Sequence, residues 1–234
     1  MSEIVPCAPY CTQSVWLDHF GAHLAVHGDD IAIDRTGQDS LAEMKAAQRS
    51  SLVQRFNGPG SISTTDLIDR MLHATTFHHL PQNIIMRTMC EFDSGVTRDV
   101  ELLKRLEMLE KIKMFSHGCV KSHEPTAVFE FIEKEGSCAL TSIVEGCIPS
   151  KGKRVIYVDG AFDLFTAGHA SFLEAVLSIE KVEYLSLEPF LIVGIYDDTT
   201  VSKYKGIMWP VMNMVERALL LLQSRVSIEE PSHV

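Results

Sequence analysis

The sequence contains no apolar run that approaches the ~20 residues needed to cross a bilayer as a helix. Its first residues, MSEIVPCAPYC, have neither a basic start nor a long apolar core, and so do not resemble a secretory signal peptide. Lysine and arginine are scarce. The sequence has 21 of them and 31 acidic residues, which gives a net charge of −10. We therefore expect a cytoplasmic protein with no membrane span and no nucleic-acid partner.

Paired cysteine motifs are also missing. The six cysteines include no Cys-x-x-Cys pair, and without a secretory signal we expect reduced thiols rather than disulfides. Three histidines (His73, His78 and His79) lie close together in sequence, but no partner spacing supports a closed zinc site. We therefore predict no protein-bound metal.

The pattern that is present is an alternation of strands and helices. The 234 residues are 46% hydrophobic and 22% charged, as in a globular protein of one large or two small domains. Candidate strands and helices follow one another in the order typical of an α/β fold. The strands fall at residues 3–9, 24–26, 52–56, 155–158 and 190–196. The helices fall at 16–20, 40–49, 66–72, 97–115, 128–134 and 211–225. Ser40 and Glu43 have the spacing of a capping box, so we expect Ser40 to cap the helix at 40–49.

The most informative stretch is Arg154–Val176, which predicts a strand, a tight turn and a helix. Val155–Val158 is a β-branched and aromatic run that is typical of a strand buried on both faces. Gly168 would let the backbone approach a bulky anion, and a helix starting around Ala170 would point its amides at that anion. Such a unit is common, but the full pattern G-A-F-D-L-F-x-x-G-H is specific, and Tyr204-Lys205-Gly206, Pro210 and Met212-Asn213-x-x-Glu216-Arg217 follow it.

These motifs resemble the cytidylyltransferases of phospholipid synthesis, most closely the two-domain type that acts on phosphoethanolamine. The resemblance implies a Rossmann-like nucleotidyltransferase fold with a parallel sheet. It also implies transfer of CMP from CTP to phosphoethanolamine in phosphatidylethanolamine biosynthesis, giving CDP-ethanolamine and pyrophosphate, with Mg²⁺ accompanying CTP.

The same resemblance divides the chain into three segments in an unusual order. Residues 1–73 match the C-terminal half of a first cytidylyltransferase domain, and residues 154–234 match the N-terminal half of a second. Residues 74–153 are then a helical linker. A tail half followed by a head half would be expected of a truncated two-domain chain, and bare sheet edges would favour pairing with a second copy as a homodimer.

Site residues are carried over from the family motif one by one. The resemblance makes His169 and Lys205 catalytic, since both would donate to the phosphates of CTP. Residues implied to bind the acceptor substrate are Asp163, Lys203 and Arg217, where Asp163 would also hold the turn by accepting from backbone donors. The residues implied to bind CTP are Asp29, Ser63, Thr64, Thr65, Ala161, Phe162, Thr166, Gly168, His169 and Lys205.

Taken singly, most of these residues have a simpler interpretation. Lys203 and Lys205, in a loop that we predict after the strand at 190–196, would be ordinary solvated lysines. Arg217 beside Glu216 would be a surface charge. Ser63–Thr65 would cap a helix, and Asp29 would belong to a loop. The motif as a whole is what favours a nucleotidyltransferase.

Two departures from the family pattern predict an impaired enzyme. The family motif is His-x-Gly-His, and Thr166 stands here in place of its first histidine. The Arg-Thr of the family's last phosphate-binding loop is replaced by Gly58-Pro59. Removing one phosphate-stabilising donor typically costs ~10²–10³-fold in rate. A non-catalytic nucleotide-binding or partner subunit, and an incomplete gene product, therefore remain alternatives.

Overall fold

The computed structural model describes residues 11–28, 33, 36–53, 63–82, 84–85, 88, 100–117, 125–134, 137–184 and 189–224. The chain divides into two compact units, Met1–Asn57 and Gly58–Val234. These two units are defined by packing, whereas the three predicted segments are defined by their resemblance to parts of the family's domains. The predicted boundaries at residues 73 and 153 therefore stay predictions.

The first unit contains helix α1 (Ser14–His19), strand β1 (Ala25–Gly28), helix α2 (Ala42–Ala46) and strand β2 (Ser50–Val53). β1 and β2 pair in parallel, so the chain makes a crossover through α2 between them. Its small core consists of Leu17, Leu41 and Met44, of which Met44 is fully buried. The predicted α/β alternation is confirmed for this unit.

The predicted cap of α2 is wrong. Ser40 and Glu43 have capping-box spacing, but the helix begins after Leu41 without a side-chain cap. Glu43 instead accepts a hydrogen bond from the amide of Ser14 (2.7 Å), which holds the pKa of Glu43 below its usual value. Asp39 accepts a hydrogen bond from the Leu41 amide at 2.9 Å, so the Asp39 carboxylate, and not the Ser40 hydroxyl, stabilises the turn before α2.

The second unit begins with helix α3 (Thr64–His73) and helix α4 (Val100–His117). Strands β3 (Val128–Lys134) and β4 (Ser137–Val144) then form an antiparallel hairpin. The core of this part is apolar and joins α4, β4 and a later helix, through Leu109, Ile112, Ile143, Val144, Val215 and Leu219.

The predicted helix at residues 128–134 is therefore wrong. The segment is a strand with period-two burial, in which Glu130 and Ile132 are buried while Phe129 and Phe131 are exposed. Apolar residues on both faces of this strand conceal the alternation from a periodicity analysis. The segment predicted as a helical linker thus contains a hairpin as well as a helix.

The last part of the unit has strand β5 (Val155–Gly160), helix α5 (Ala167–Tyr184) and strand β6 (Phe190–Ile195). Helix α6 (Asp198–Lys205) and helix α7 (Met214–Ser224) follow. β5 and β6 are parallel, which confirms the predicted strand, turn and helix and the α/β class. Lys203 and Lys205 lie in the last turn of α6, and not in the loop predicted there.

Burial of β5 on both faces is contradicted by the structure. Val155 and Tyr157 are 47% and 62% exposed, and Ile156 and Val158 lie on the more protected face. The face of β5 that carries Val155 and Tyr157 is therefore in contact with solvent.

Candidate functional site

The turn between β5 and α5 is built from buried aromatic and exposed small residues. Ala161 and Phe162 are buried, and Phe162 and Leu164 both adopt left-handed backbone conformations (φ 50° and 48°). Such conformations are strained for residues with a side chain and persist where surrounding contacts hold them. The turn then opens to solvent, because Thr166, Ala167 and Gly168 are exposed.

Gly168 is not required by packing. A Cβ built there would approach only the Thr166 hydroxyl, at 3.5 Å, which is an ordinary van der Waals distance. Apart from the chain neighbours of Gly168, no other side chain comes within 4 Å of that Cβ. The amides of His169 and Ala170 donate to Thr166 O (3.0 and 3.2 Å), which leaves those of Ala167 and Gly168 as the backbone donors of this exposed corner.

His169 is oriented by its neighbours. Its Nδ1 accepts the backbone N–H of Thr166 at 3.1 Å and lies 3.2 Å from the Thr166 hydroxyl. The ring stacks on Phe165 with centroids 5.4 Å apart and lies 5.8 Å from the Phe162 ring. Since Nδ1 accepts, the neutral ring carries its proton on Nε2, and that N–H is the group left to donate.

Asp163 holds the turn against a later segment of the chain. Its carboxylate accepts the backbone N–H groups of Val211 (2.7 Å) and Met212 (2.9 Å), and also that of Leu164 (3.1 Å). This confirms the prediction that Asp163 binds backbone donors. That it also contacts substrate stays a prediction.

Arg217 is buried inside the unit, so its interpretation as a surface charge is wrong. Its side chain is 0% exposed, and its guanidinium donates to three carbonyls and one carboxylate. The acceptors are Met212 O (3.0 Å), Ala161 O (2.5 Å), Tyr196 O (2.7 Å) and Asp198 Oδ1 (2.7 Å). It thus fixes the ends of β5 and β6 to the start of α7, and a contact with substrate stays a prediction.

We call Pro210–Asn213 the junction segment. Asp163 and Arg217 form hydrogen bonds with its backbone, as described above, and so do Glu216 and Arg70. Asn213 and Glu216 form a reciprocal cap, because each side chain accepts the other's backbone N–H (3.0 and 2.8 Å). Arg70 of α3 donates to both carboxylate oxygens of Glu216, at 2.8 and 3.0 Å.

Lys203 and Lys205 are exposed at the end of α6. The helix is capped at its start by Asp197, which accepts the amide of Thr200 at 2.7 Å. The Lys203 ammonium lies 5.3 Å from the centre of the Tyr204 ring. Both lysines can therefore reach solvent-borne anions, and their predicted roles stay predictions.

The start of α3 confirms the helix-capping interpretation of Ser63. Its hydroxyl accepts the amide of Asp66 at 3.1 Å, and Asp66 accepts the amide of Ser63 at 2.9 Å. The Asp66 carboxylate therefore brings a negative charge to this helix start. Thr64 and Thr65 are exposed. CTP binding by these three residues stays a prediction, and Asp29 lies outside the described residues.

Several residues that shape the site were not identified from the sequence. They are Arg70, His78, His79 and Asp198. Both histidines bind Pro210 O through Nε2, at 2.9 Å. Asp198 is 1% exposed, and burial raises its pKa although the Leu80 amide and Arg217 act in the opposite direction. The Asn-x-x-Glu spacing at 213–216 would have predicted a helix cap, but no local pattern indicates the partner of Arg70.

Comparison with known proteins finds similar ethanolamine-phosphate cytidylyltransferases along almost the whole chain. No model of a known protein family matches it. It is 34% identical over 226 residues to "Ethanolamine-phosphate cytidylyltransferase" of Mus musculus, which covers 96% of this chain and 52% of that protein. The proteins of the same name from Dictyostelium discoideum and Arabidopsis thaliana are 29% and 30% identical, over 95% and 96% of this chain.

These similarities, with the parallel strand pairs and the G-A-F-D-L-F-x-x-G-H turn, relate the chain to the cytidylyltransferases. The chain spans about half the length of the ethanolamine-phosphate cytidylyltransferases that it matches. The two longest described helices, α4 and α5, have 18 residues each, and neither is apolar enough to serve as a membrane span.

Proposed function

We propose that this chain binds CTP at the open corner between β5 and α5 and transfers CMP to phosphoethanolamine, at a rate lowered by its own sequence. The products are CDP-ethanolamine and pyrophosphate. The observation that carries the proposal is the similarity along 96% of the chain to ethanolamine-phosphate cytidylyltransferases. The open space above Gly168 supports it, because an incoming phosphate would find backbone donors there.

Each exposed polar group at this corner has a proposed part. His169 donates from Nε2 to a phosphate oxygen, Lys205 neutralises the triphosphate, and Lys203 faces the phosphate of the acceptor. Gly168 admits the anion, and Ala161 and Phe162 form the wall behind it. Because the polar groups of Asp163 and Arg217 are engaged by backbone, we assign both to holding this wall rather than to contacting substrate.

Mg²⁺ fits this site as a companion of the triphosphate. Within the part of the chain that the structure describes, no three His, Cys, Asp or Glu side chains come together as ligands. Mg²⁺ readily keeps water and substrate phosphates as ligands, so the triphosphate itself would carry it. Bound Mg²⁺ would lower the negative charge that Lys205 and His169 face.

Thr166 gives a second candidate function. Its hydroxyl and amide both lie against His169, and it offers no imidazole of its own to the corner. A chain that keeps the backbone donors but lacks this group can bind a nucleotide without turning it over efficiently. The second candidate is therefore a non-catalytic nucleotide-binding or partner subunit of a related enzyme.

The test restores the missing histidine. Purified chain and its Thr166→His variant are assayed with CTP, Mg²⁺ and phosphoethanolamine, and CDP-ethanolamine is measured by mass spectrometry. We expect slow turnover by the natural sequence and a ~10²–10³-fold increase in the variant, since a donor aimed at the transition state is regained. Phosphocholine as acceptor in parallel reports the substrate preference.

The matched control is Ser178→His, which adds an imidazole to an exposed position of α5, three turns beyond Thr166. It should leave the rate unchanged. If neither the natural chain nor the Thr166→His variant gives product, the enzyme proposal is overturned. Calorimetric titration with CTP then decides for or against the nucleotide-binding candidate.

The proposal places the reaction in the cytoplasm. A homodimer also stays an expectation, and sedimentation velocity over a range of concentrations tests it.

A further inference from the structure

Every backbone hydrogen-bonding group of the junction segment, Pro210–Asn213, has a partner from elsewhere in the second unit. The side chains of the segment are buried as well. The partners are His78 and His79 on Pro210 O, Asp163 on the amides of 211 and 212, Arg70 on Val211 O, Arg217 on the carbonyls of 212 and 213, and Glu216 on the amide of 213. Because every backbone polar group of this irregular segment is bonded, a displacement of the segment would break several hydrogen bonds at once.

Arg70 has the most demanding geometry in this set. One guanidinium nitrogen bonds both the Glu216 carboxylate (2.8 Å) and Val211 O (3.0 Å), and the other bonds Glu216 at 3.0 Å. The side chain of Glu216 is 4% exposed and that of Arg70 is 18% exposed. A planar fork is needed to make these three bonds at once, and an ammonium cannot replace it.

Val211 connects Arg70 to the open corner through two hydrogen bonds. Val211 O accepts from Arg70, while Val211 N donates to Asp163. Asp163 belongs to the turn that leads into Gly168 and His169. On the other side, four residues separate Lys205 from the start of the junction segment at Pro210. A shift of the junction segment would therefore move both sides of the proposed phosphate site.

We propose that Arg70 is a positioning residue, which fixes the junction segment through Glu216 and Val211 O and so sets the relative placement of the His169 turn and Lys205. The consequence for CTP rests on the proposed function, but the effect on the junction segment does not. Arg70 lies on α3, beyond the helix start at Ser63, and touches neither His169 nor Lys205 in these contacts.

The experiment uses the full chain with Trp16→Phe, which leaves Trp209 as its one tryptophan, next to Pro210. Removing Arg70 alone leaves a buried carboxylate without its cation, so Arg70→Ala is made both alone and together with Glu216→Gln, whose amide oxygen can still accept the Asn213 amide, and both proteins are compared with the Trp16→Phe reference. We expect acrylamide to quench Trp209 more strongly in the Arg70→Ala protein. Its CTP dissociation constant should rise ~10-fold or more, because a displaced binding group loses its alignment.

Two controls separate positioning from general destabilisation. Ile132→Val opens a small cavity in a buried position of β3, and it should change neither Trp209 quenching nor CTP affinity. Arg70→Lys keeps the charge but not the fork, and it should fail to restore the affinity. All affinities are measured under conditions where urea titration shows each protein to be folded.

The results separate the two proposals. Unchanged Trp209 quenching in the folded Arg70→Ala protein overturns the positioning role, whatever CTP does. Increased quenching with CTP affinity within twofold of the reference shows that the junction segment moves without affecting the site, and this also overturns it. If the natural chain does not bind CTP, the proposed function fails, while the quenching result still decides whether Arg70 holds the segment.

Discussion

The described residues form two parallel strand pairs, in each of which a helix connects the two strands, and the pairs differ in how their charged side chains are used. Around β1 and β2, Arg49 pairs with Asp18 at the surface, and the Asp18 side chain is 66% exposed. Around β5 and β6, Arg217 pairs with Asp198 with almost no exposure of either side chain. The ion pair of the first sheet lies on the surface of a unit whose small core is apolar. The ion pair of the second sheet is itself buried at the ends of the strands.

This difference shows which features a binding site at the strand ends needs in addition to the strand–helix–strand topology. The helix of the first pair, α2, has five residues and no side-chain cap. The helix of the second, α5, has 18 residues and begins beside an ordered histidine and an exposed glycine. Buried charges hold the strand ends of the second pair in place, so backbone strain at Phe162 and Leu164 can persist there.

The same substitution in both units tests the comparison most strongly. Arg217→Leu should destabilise the second unit by about 3–5 kcal/mol, because Asp198 would remain buried without its cation. Urea unfolding followed by Trp209 fluorescence, in the Trp16→Phe background, measures this. A loss below about 1 kcal/mol would contradict the interpretation of Arg217 as the main tie between strand ends, since exposed ion pairs account for that much.

A change of pH should affect the second unit in a defined window. Burial holds the pKa of His78 below its ordinary value of 6.5, although its bond to Pro210 O acts in the opposite direction. The unfolded chain therefore binds the proton more readily. This contribution to stability is present above pH 6.5 and is lost as the pH falls from 6.5 through the lower folded value.

The measurement compares urea midpoints reported by Trp209 at pH 7.5 and pH 5. His78→Gln, which can still donate to Pro210 O, should flatten the dependence. His79, Arg70 and Glu216 also face this site, so the comparison is made between variants rather than against zero. An unchanged pH dependence in His78→Gln would assign the effect to these neighbours.

The smallest effect is expected in the first unit. Arg49→Leu removes a bond to Asp18 (2.7 Å) and one to Ala22 O (2.6 Å), both near solvent. We expect a loss of about 1 kcal/mol or less, since water replaces an exposed pair. Trp16 fluorescence in a Trp209→Phe background follows this unit, and a loss as large as that of Arg217→Leu would remove the contrast between the units.

Local patterns in the sequence were sufficient for several elements. The run at 155–158, the turn that contains Gly160 and Gly168, and the hydroxyl residues at 63–65 predicted β5, the start of a helix and the cap of α3, all of which are present. Each depends on residues within a few positions of one another. The parallel pairing of β5 with β6 also followed from strand–helix–strand order.

The parts that failed depend on distant partners. The helix predicted at 128–134 is a strand because β4 lies beside it, and both of its faces carry apolar residues. Ser40 loses its predicted role because Glu43 is engaged by Ser14, 29 positions earlier. The bond between Arg70 and Glu216 joins residues 146 positions apart, and no spacing rule connects them.

One glycine of β6 decides what lies beside the end of β5. A side chain at Gly194 would collide with the hydroxyl of Tyr157, so the bare position leaves room for the phenol ring on the neighbouring strand. Next to it, Tyr196 donates to Asp159 at 2.9 Å, and this bond raises the pKa of Tyr196. Because Gly194 has no side chain, Tyr157 and Tyr196 both lie beside the Asp159 carboxylate on the surface of the sheet. A larger residue at position 194 would displace the Tyr157 ring toward solvent.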